Sequence, residues 1–580
     1  MKRIVLNAVS LSVVLCAVAL AGLAADAKPS VIPLPLGAAA NASRLDREAA
    51  DGKGGWLDIG SNDLHVLPAG TLDCSGVPFA IPADRGETDK TCIVLGRKGG
   101  ASRAELAMPD GTVGPCLYLL HATADSVRMN KVKIGIVRLH YAEGQPVDMS
   151  VRTKRDVLDW TLGNSRGNAV RGWTKYNDNM QVSLFVSKFP VDPKRKLVKV
   201  EFESTGECPW MILAAARGVD LRLKGVVAPM AVTGTFRAPP PLEKPLPATP
   251  AGKKPRNVVL IIGDGMGEGA IDFASRYCHG RPNALRMQQV PVAGHCTTVS
   301  VQGKTTDSAA AATAIATGSK TMNGMLGLCA RSDEERKSAT RLVPFAQRAH
   351  EKGLSVGLLT NDRLTGATPG GFYAHVSSRG ETKEIAAQAA ASGYEILIGH
   401  RSSADAFKEI DMGARGYAVV KTLAEFQAAP KDTKVFGPIN SGDTVDTLGA
   451  GVREALTRLA QNPKGFFLMA ECTTTDGANH ENNPARSVLG TVMVDWMAAT
   501  ALDFAAARGD TLVLITADHE TGRVRAVTDK DGRVQITFGA TNHTKEPVAL
   551  YAYGPGAELF AGTIDNTDIA KKVTALLDLE

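Results

Sequence analysis

Aromatic residues are scarce, at 5% of the 580 residues, and nowhere do they alternate with a run of Lys or Arg. That leaves no stacking-and-phosphate surface of the kind nucleic acids need. The net charge of +6 is spread along the chain and marks no acidic partner. No C-x-x-C pair occurs, so a cysteine-built zinc site has no framework. The N-terminal apolar run, Leu11 to Leu20, is short for a bilayer span. Cys16 lacks the small preceding residue of a lipid-attachment site.

What that N-terminus does have is the order of an export signal. Lys2 and Arg3 come first, then the apolar run, then the small-x-small site Ala25-Asp26-Ala27. Residues 1–27 therefore read as a signal peptide, and the mature chain as exported, to a periplasm or the outside. Of nine cysteines, Cys16 falls in the signal, leaving eight: Cys74, Cys92, Cys116, Cys208, Cys278, Cys296, Cys329 and Cys472. An oxidising compartment permits disulfides among them, without fixing their pairing.

Two textures follow. Over 45–235, short apolar or alternating runs such as Cys116–Leu120, Ile134–Val137 and Val182–Val186 are separated by Gly, Pro, Asn and Asp. This pattern predicts an all-β sandwich or jelly roll, similar to the carbohydrate-binding-like modules of exported enzymes. A glycan or cell-surface ligand would suit such a module. Trp56, Trp160 and Trp173 suit sugar stacking but are expected in its core. Residues 237–256, with six prolines from Pro239 to Pro250, read as an extended, semi-rigid linker.

From 257 to 580 strands and helices alternate. Val258–Ile262, Leu354–Leu359, Phe466–Ala470 and Leu512–Thr516 read as buried strands. Residues 340–352, 450–460 and 488–506 read as helices. The alternation predicts an α/β domain: a central, mostly parallel sheet with helices on both faces. Ligands of such sheets bind beyond the carboxyl ends of the strands.

Polar residues cluster at those ends. Asp264 follows the first strand and Glu471 the strand at 466–470, with Asp476 and His480 expected in the loop beyond. Asp518 and His519 follow Thr516, and His543 precedes the strand Val548–Ala552. Three imidazoles with aspartates suit zinc, whereas Glu471 among oxygen donors suits magnesium. One more stretch completes the set. Thr306-Asp307-Ser308 opens an Ala-rich helix that stops at Gly318, with Thr306 or Asp307 as its cap. Ser308 then lies in the first turn, where free N–H groups and the helix dipole favour an anion. The dipole supplies at most about 2 kcal/mol. Phosphate monoester hydrolysis needs accelerations approaching ~10²¹, roughly 28 kcal/mol, so metal ions must carry most of the load.

The ordered motifs resemble the alkaline phosphatase family over about 255–580. They are Ile261–Gly267, Thr306–Ala310 with Thr321–Gly324, Ala367-Thr368-Pro369 with Ala374–Arg379, Glu471 with Asp476 and His480, Thr516–Gly522, and Asn542-His543-Thr544. The resemblance implies small phosphorylated substrates and Ser308 as the nucleophile that becomes phosphoserine. Arg379 would hold phosphate as a bidentate fork, and Asp307 would orient Arg379 or the nucleophile's turn. It implies two Zn²⁺ and one Mg²⁺ per chain. One zinc would take Asp476, His480 and His543; the other would take Asp264, Asp518 and His519 and lower the Ser308 pKa. Magnesium would take Asp264, Thr368 and Glu471. Monomer and homodimer both fit.

Two positions depart from the family pattern. Gly366 stands where many members carry Asp or His near magnesium, and Gly477 where some carry Lys or His near phosphate. A looser magnesium shell and faster phosphate release are the expectations. The span from Leu397 to Asp446 is short for members with a large cap. Among rivals, a sulfatase would need Cys/Ser-x-Pro-x-Arg where this chain has Ser308 followed by alanines. A phosphodiesterase of the superfamily would usually have a Thr nucleophile and lack the magnesium set. A catalytically dead glycan-binding protein would have damaged ligand positions, and none is seen.

Overall fold

The computed structural model describes residues 31–580 except 53–54, 61–62, 128, 163–164, 166, 178–180, 226–229, 231, 233–234, 250–251, 440–446 and 530–531. The expected signal peptide lies outside the described residues. The first half is built of antiparallel sheets. A six-stranded sheet centred on Cys116–Thr123 and Trp210–Gly218 faces a four-stranded sheet centred on Lys133–Tyr141 and Leu197–Ser204. Leu117, Leu119, Val137, Phe202 and Trp210 fill the space between them. Both central strands of the larger sheet are buried at every position, because its other face is covered too. There the hairpin Gly70–Cys74/Val77–Ile81 packs with Trp56 and Trp160, whose rings meet edge to face 5.0 Å apart. Those two tryptophans are core residues, and Trp173 packs partly buried against the same cluster. An extra strand, Val31–Leu34, pairs with Ala215–Gly218, so β structure begins ahead of residue 45.

The proline-rich stretch is not a free spacer. Ala238 and Leu246 pack against the second half's core, and hydrogen bonds along the stretch fasten it there. Trp496 Nε1 donates to the Arg237 carbonyl (2.9 Å), Leu242 N–H to Gln289 Oε1 (2.6 Å), and the Tyr553 hydroxyl to the Pro247 carbonyl (3.1 Å). Prolines leave carbonyls without competing N–H groups, which suits them to being received by side chains. Just upstream, Met230 pairs with Ile536 through two backbone hydrogen bonds.

The second half holds a ten-stranded sheet. Numbered in chain order, its strands are β1 (Asn257–Gly263), β2 (Val292–Thr297), β3 (Ser355–Thr360), β4 (Ile396–His400), β5 (Tyr417–Val419), β6 (Lys434–Ile439), β7 (Phe466–Cys472), β8 (Thr511–Thr516), β9 (Val548–Tyr553) and β10 (Gly562–Asp565). Their spatial order is β5-β6-β4-β3-β7-β1-β8-β9-β2-β10, and only β9 runs against its neighbours. Both faces are covered. Helices α1 (Glu268–His279) and α5 (Pro484–Arg508) pack with Thr447–Leu459 on one side. On the other, α2 (Ser308–Thr317) and α3 (Ala367–Gly370) pack with Phe345–Glu351 and Thr567–Leu576. Covered on two sides, β1, β7 and β8 are apolar runs buried throughout. Helix α5 is long and apolar enough to cross a membrane but is mostly buried in this fold.

The helix expected over 340–352 starts only at Phe345. Pro344 caps it, and Thr340-Arg341 instead pair with Leu328-Cys329. The eight cysteines from Cys74 to Cys472 are all free thiols.

Leu260 lies mid-strand in β1 and is fully buried. Leu260→Ala should cost about 2–5 kcal/mol, read as a lower urea midpoint for the unfolding transition.

Candidate active site

The four central strands end in one row. Thr360 of β3 stands beside Glu471 of β7, Glu471 beside Ile262 of β1, and Ile262 beside Thr516 of β8. One or two residues further on come Asp264 and the pair Asp518-His519. Parallel pairing brings these groups together, since every chain segment leaves the sheet on the same side.

Ser308 enters from α2. Asp307 is the cap: its side chain accepts the Ala310 N–H at 3.0 Å, as the sequence suggested for one of two residues. Its other oxygen accepts the Gly324 N–H at 3.0 Å and lies 3.4 Å from Arg379 Nη1. Asp307 thus caps the turn that carries Ser308 and faces Arg379. Arg379 is half-exposed, and its N–H donates to the Gly324 carbonyl at 2.7 Å. Ser308 is buried, with Oγ 3.3 Å from His519 Nε2.

Around His519 the first group closes. Its Nε2 lies 3.2 Å from Asp518 Oδ2 and 3.6 Å from Asp264 Oδ1. Asp518 Oδ1 accepts the N–H groups of Gly265 (3.1 Å) and His519 (2.9 Å). By contrast Asp518 Oδ2 and Asp264 Oδ1 are buried and accept no hydrogen bond. A buried carboxylate oxygen left bare costs free energy unless something positive meets it. Burial first, and then the charges of Asp518, Asp476 and Glu471, push the Asp264 carboxyl well above the usual carboxylate range.

The second group is Asp476, His480 and His543. Asp476 and His480 are not in a loop: they lie four apart on a short helix, α4 (Thr474–His480), which puts them on one face. Asp476 Oδ1 is 3.4 Å from the Nε2 of each histidine and accepts the Thr521 hydroxyl at 2.6 Å. His543 arrives on the short strand His543–Thr544, paired with Glu520–Thr521, and stacks on His519 at 3.5 Å between ring centroids. The rings are oriented from behind. His480 Nδ1 donates to the Thr541 carbonyl (2.7 Å) and His543 Nδ1 to the Thr306 carbonyl (2.9 Å). With those tautomers the two Nε2 lone pairs face each other at 3.1 Å. Two lone pairs repel at that distance, and a cation between them turns repulsion into ligation. Burial alone would raise the Asp476 pKa, but the imidazoles of His543, His519 and His480 around it favour the carboxylate and hold it below the usual range.

The third group surrounds Glu471, which is buried and accepts the Thr360 hydroxyl at 2.5 Å. Burial, then the neighbouring Asp362, push its carboxyl up to about 8. Thr368, at the start of α3, has a buried hydroxyl with no partner. Gly477 leaves open ground: a Cβ there would lie 3.8 Å from Arg486 Nη2, and that arginine pairs with Glu481 at 2.8 Å.

All eleven residues singled out in the sequence thus gather at the carboxyl edge of the sheet. Thr360, Thr521 and Asp362 were missed. Thr521 stood inside a quoted motif, but its hydroxyl's two contacts, to Asp476 and to His519 Nδ1 (3.3 Å), follow from folding.

A serine at a helix N-terminus, beside orphaned carboxylate oxygens and imidazoles steered from behind, is an arrangement suited to a hydrolase that works with bound cations. Comparison with known proteins agrees. The family model described as alkaline phosphatase matches residues 255–405 and 439–532. The streptomycin-6-phosphate phosphatase of Streptomyces griseus is 30% identical over 465 residues, which is 64% of this chain and 99% of that protein. An alkaline phosphatase of Escherichia fergusonii is 29% identical over 419 residues, covering 57% of this chain and 87% of that one. The solved alkaline phosphatase of the Antarctic bacterium TAB5 superposes with a TM-score of 0.51 at 27% identity, over 57% of this chain and 100% of its own. The chain belongs to the alkaline phosphatase family, a family of metal-dependent hydrolases of phosphate monoesters.

Thr521→Ala removes the hydroxyl that fixes Asp476. Divalent-metal affinity should fall roughly 10–100-fold, the usual consequence of losing a group that orients a ligand. A chelator competition titration on the purified protein measures it.

Proposed function

We propose that this enzyme hydrolyses phosphate monoesters through a phosphoserine at Ser308. The observation that supports the reading is the Ser308 oxygen, buried at a helix N-terminus and 3.3 Å from His519 Nε2, beside oxygens of Asp264 and Asp518 that lack hydrogen bonds. The donor sets fit the ions the family uses. Asp476, His480 and His543 would hold one Zn²⁺, and Asp264, Asp518 and His519 the other. Asp264, Thr368 and Glu471, all oxygen donors, would hold Mg²⁺. Bound there, the cations supply Lewis acidity, lowering the pKa of oxygen nucleophiles and neutralising charge on the leaving oxygen.

The chain's own residues do the rest. Arg379 receives two phosphate oxygens, its fork held over the site by Asp307. Ser308 Oγ loses its proton to solvent water and attacks phosphorus, the bond to the substrate's alcohol oxygen breaks, and the departing alkoxide takes a proton from water. The free N–H groups at the start of α2 donate to the transferred phosphoryl oxygens. Water then attacks the phosphoserine, the P–Oγ bond breaks, a proton from that water passes through solvent to Ser308 Oγ, and inorganic phosphate leaves. Gly477 places no side chain against that phosphate, which favours its release. We read residues 257–580 as the catalytic domain, 237–256 as the linker, 45–235 as an accessory module open to a glycan or surface ligand, and 1–27 as the signal for export.

Ser308→Ala should abolish p-nitrophenyl phosphate turnover while zinc content stays at two per chain. Turnover within tenfold of wild type would rule out the phosphoserine route. A diester and a sulfate ester offered in parallel should be poor substrates; a faster rate on either points to a different member of the superfamily. Gly477→Lys should slow phosphate release in a pre-steady-state burst assay, and an equal or faster release rate in the variant would contradict that role for the glycine.

A further inference from the structure

Gly366 precedes Thr368 by two residues, at the N-terminus of α3, with φ −64° and ψ 166°. Any residue adopts that backbone, so conformation does not demand glycine here. Space does. A Cβ on residue 366 would lie 2.5 Å from Asp362 Oδ2 and 2.8 Å from the Arg363 carbonyl oxygen. The Asp362 carboxylate fills the volume from which a side chain at 366 would grow.

The backbone that carries this carboxylate is tied to the Glu471 group. Asp362 N–H donates to Thr360 Oγ1 at 2.9 Å, and the same hydroxyl donates to Glu471 Oε2 at 2.5 Å. The Asp362 carbonyl accepts the His400 N–H at 2.7 Å, pinning the turn from the other side. The side chain is 35% exposed and Arg363 Nε is 4.0 Å from its Oδ1, too far for a hydrogen bond. Nearby, the hydroxyl of Thr368 and Oδ1 of Asp264 are buried without partners. Two carboxylates and two orphaned oxygens at one strand end ask for a hard cation, and such an ion keeps part of its water shell.

We propose that Asp362 is a positioning residue of the magnesium site, accepting hydrogen bonds from the ion's water shell in place of the side chain missing at 366. The inference rests on the reading that Asp264, Thr368 and Glu471 hold Mg²⁺. This carboxylate comes from four residues upstream, and its Oδ2 lies 2.5 Å from where a Cβ on residue 366 would be, so it closes the shell that glycine at 366 leaves open. Losing such an outer group costs roughly 10–100-fold in metal affinity.

The test is a calorimetric titration of Mg²⁺ into zinc-loaded, magnesium-stripped protein, with zinc content measured on the same samples. Asp362→Asn keeps the shape and removes the charge; it should weaken Mg²⁺ binding tenfold or more with zinc unchanged. Arg363→Ala, the adjacent exposed side chain, should stay within twofold. Gly366→Ala, whose methyl pushes on Asp362, should weaken Mg²⁺ in the same direction and covers the case in which Asp362→Asn folds poorly. An affinity of Asp362→Asn within twofold of a Mg²⁺-binding wild type overturns the inference alone. A wild type that takes up no Mg²⁺ overturns the magnesium reading as well.

Discussion

The constraint on which this half of the molecule depends is electrostatic crowding. Asp264, Glu471, Asp476 and Asp518 meet at one end of the sheet, most of them buried, with His519 and His543 stacked beside them. In the absence of cations these groups oppose one another. The carboxyls of Asp264 and Glu471 are driven up, and two imidazole lone pairs point together. Hydrophobic burial elsewhere must outweigh that opposition for the fold to hold it. Cations bound there would remove the opposition, which would couple metal binding to stability.

The fold makes such crowding tolerable by distributing it. No single segment contributes more than two or three of the charged groups, and each is anchored by something apolar. Strands β1, β7 and β8 are buried along their whole lengths, and α2 is alanine-rich and buried to its last turn. Small alanine side chains let α2 approach closely, which brings Ser308 within 3.3 Å of His519. Rigid elements behind a site hold its groups within the few tenths of an ångström that phosphoryl transfer needs.

Much of this is legible because it follows local rules. Buried parallel strands read as unbroken apolar runs, and Gly318 and Gly509 end their helices in the left-handed conformation as helix stops do. Asp264, Ser308 and Asp518-His519 are placed by their positions after strands or caps. What is not legible depends on contacts far apart in sequence. Residues 474–480 carry no long apolar periodicity, so the helix presenting Asp476 and His480 reads as a loop; packing against α5 secures it. Composition implies the extended form of the proline-rich stretch, but not the carbonyl contacts to Trp496 and Tyr553, or the bond to Gln289, that bind it down. Periodicity extends the helix back over Thr340-Arg341 because it does not see their tie to Leu328-Cys329 across a loop.

Position 366 carries the same lesson into the chemistry. Read along the chain, its glycine is a missing ligand neighbour; read in space, it is room made for Asp362. A metal site is specified by where charge sits around the ion, and several backbone positions can deliver a carboxylate to one spot. Thr360 fixes the turn that carries Asp362, since one hydroxyl meets both the Glu471 carboxylate and the backbone of Asp362. A turn anchored in this way transmits little slack, so a carboxylate borrowed from four residues upstream can be as well placed as one built at the usual position.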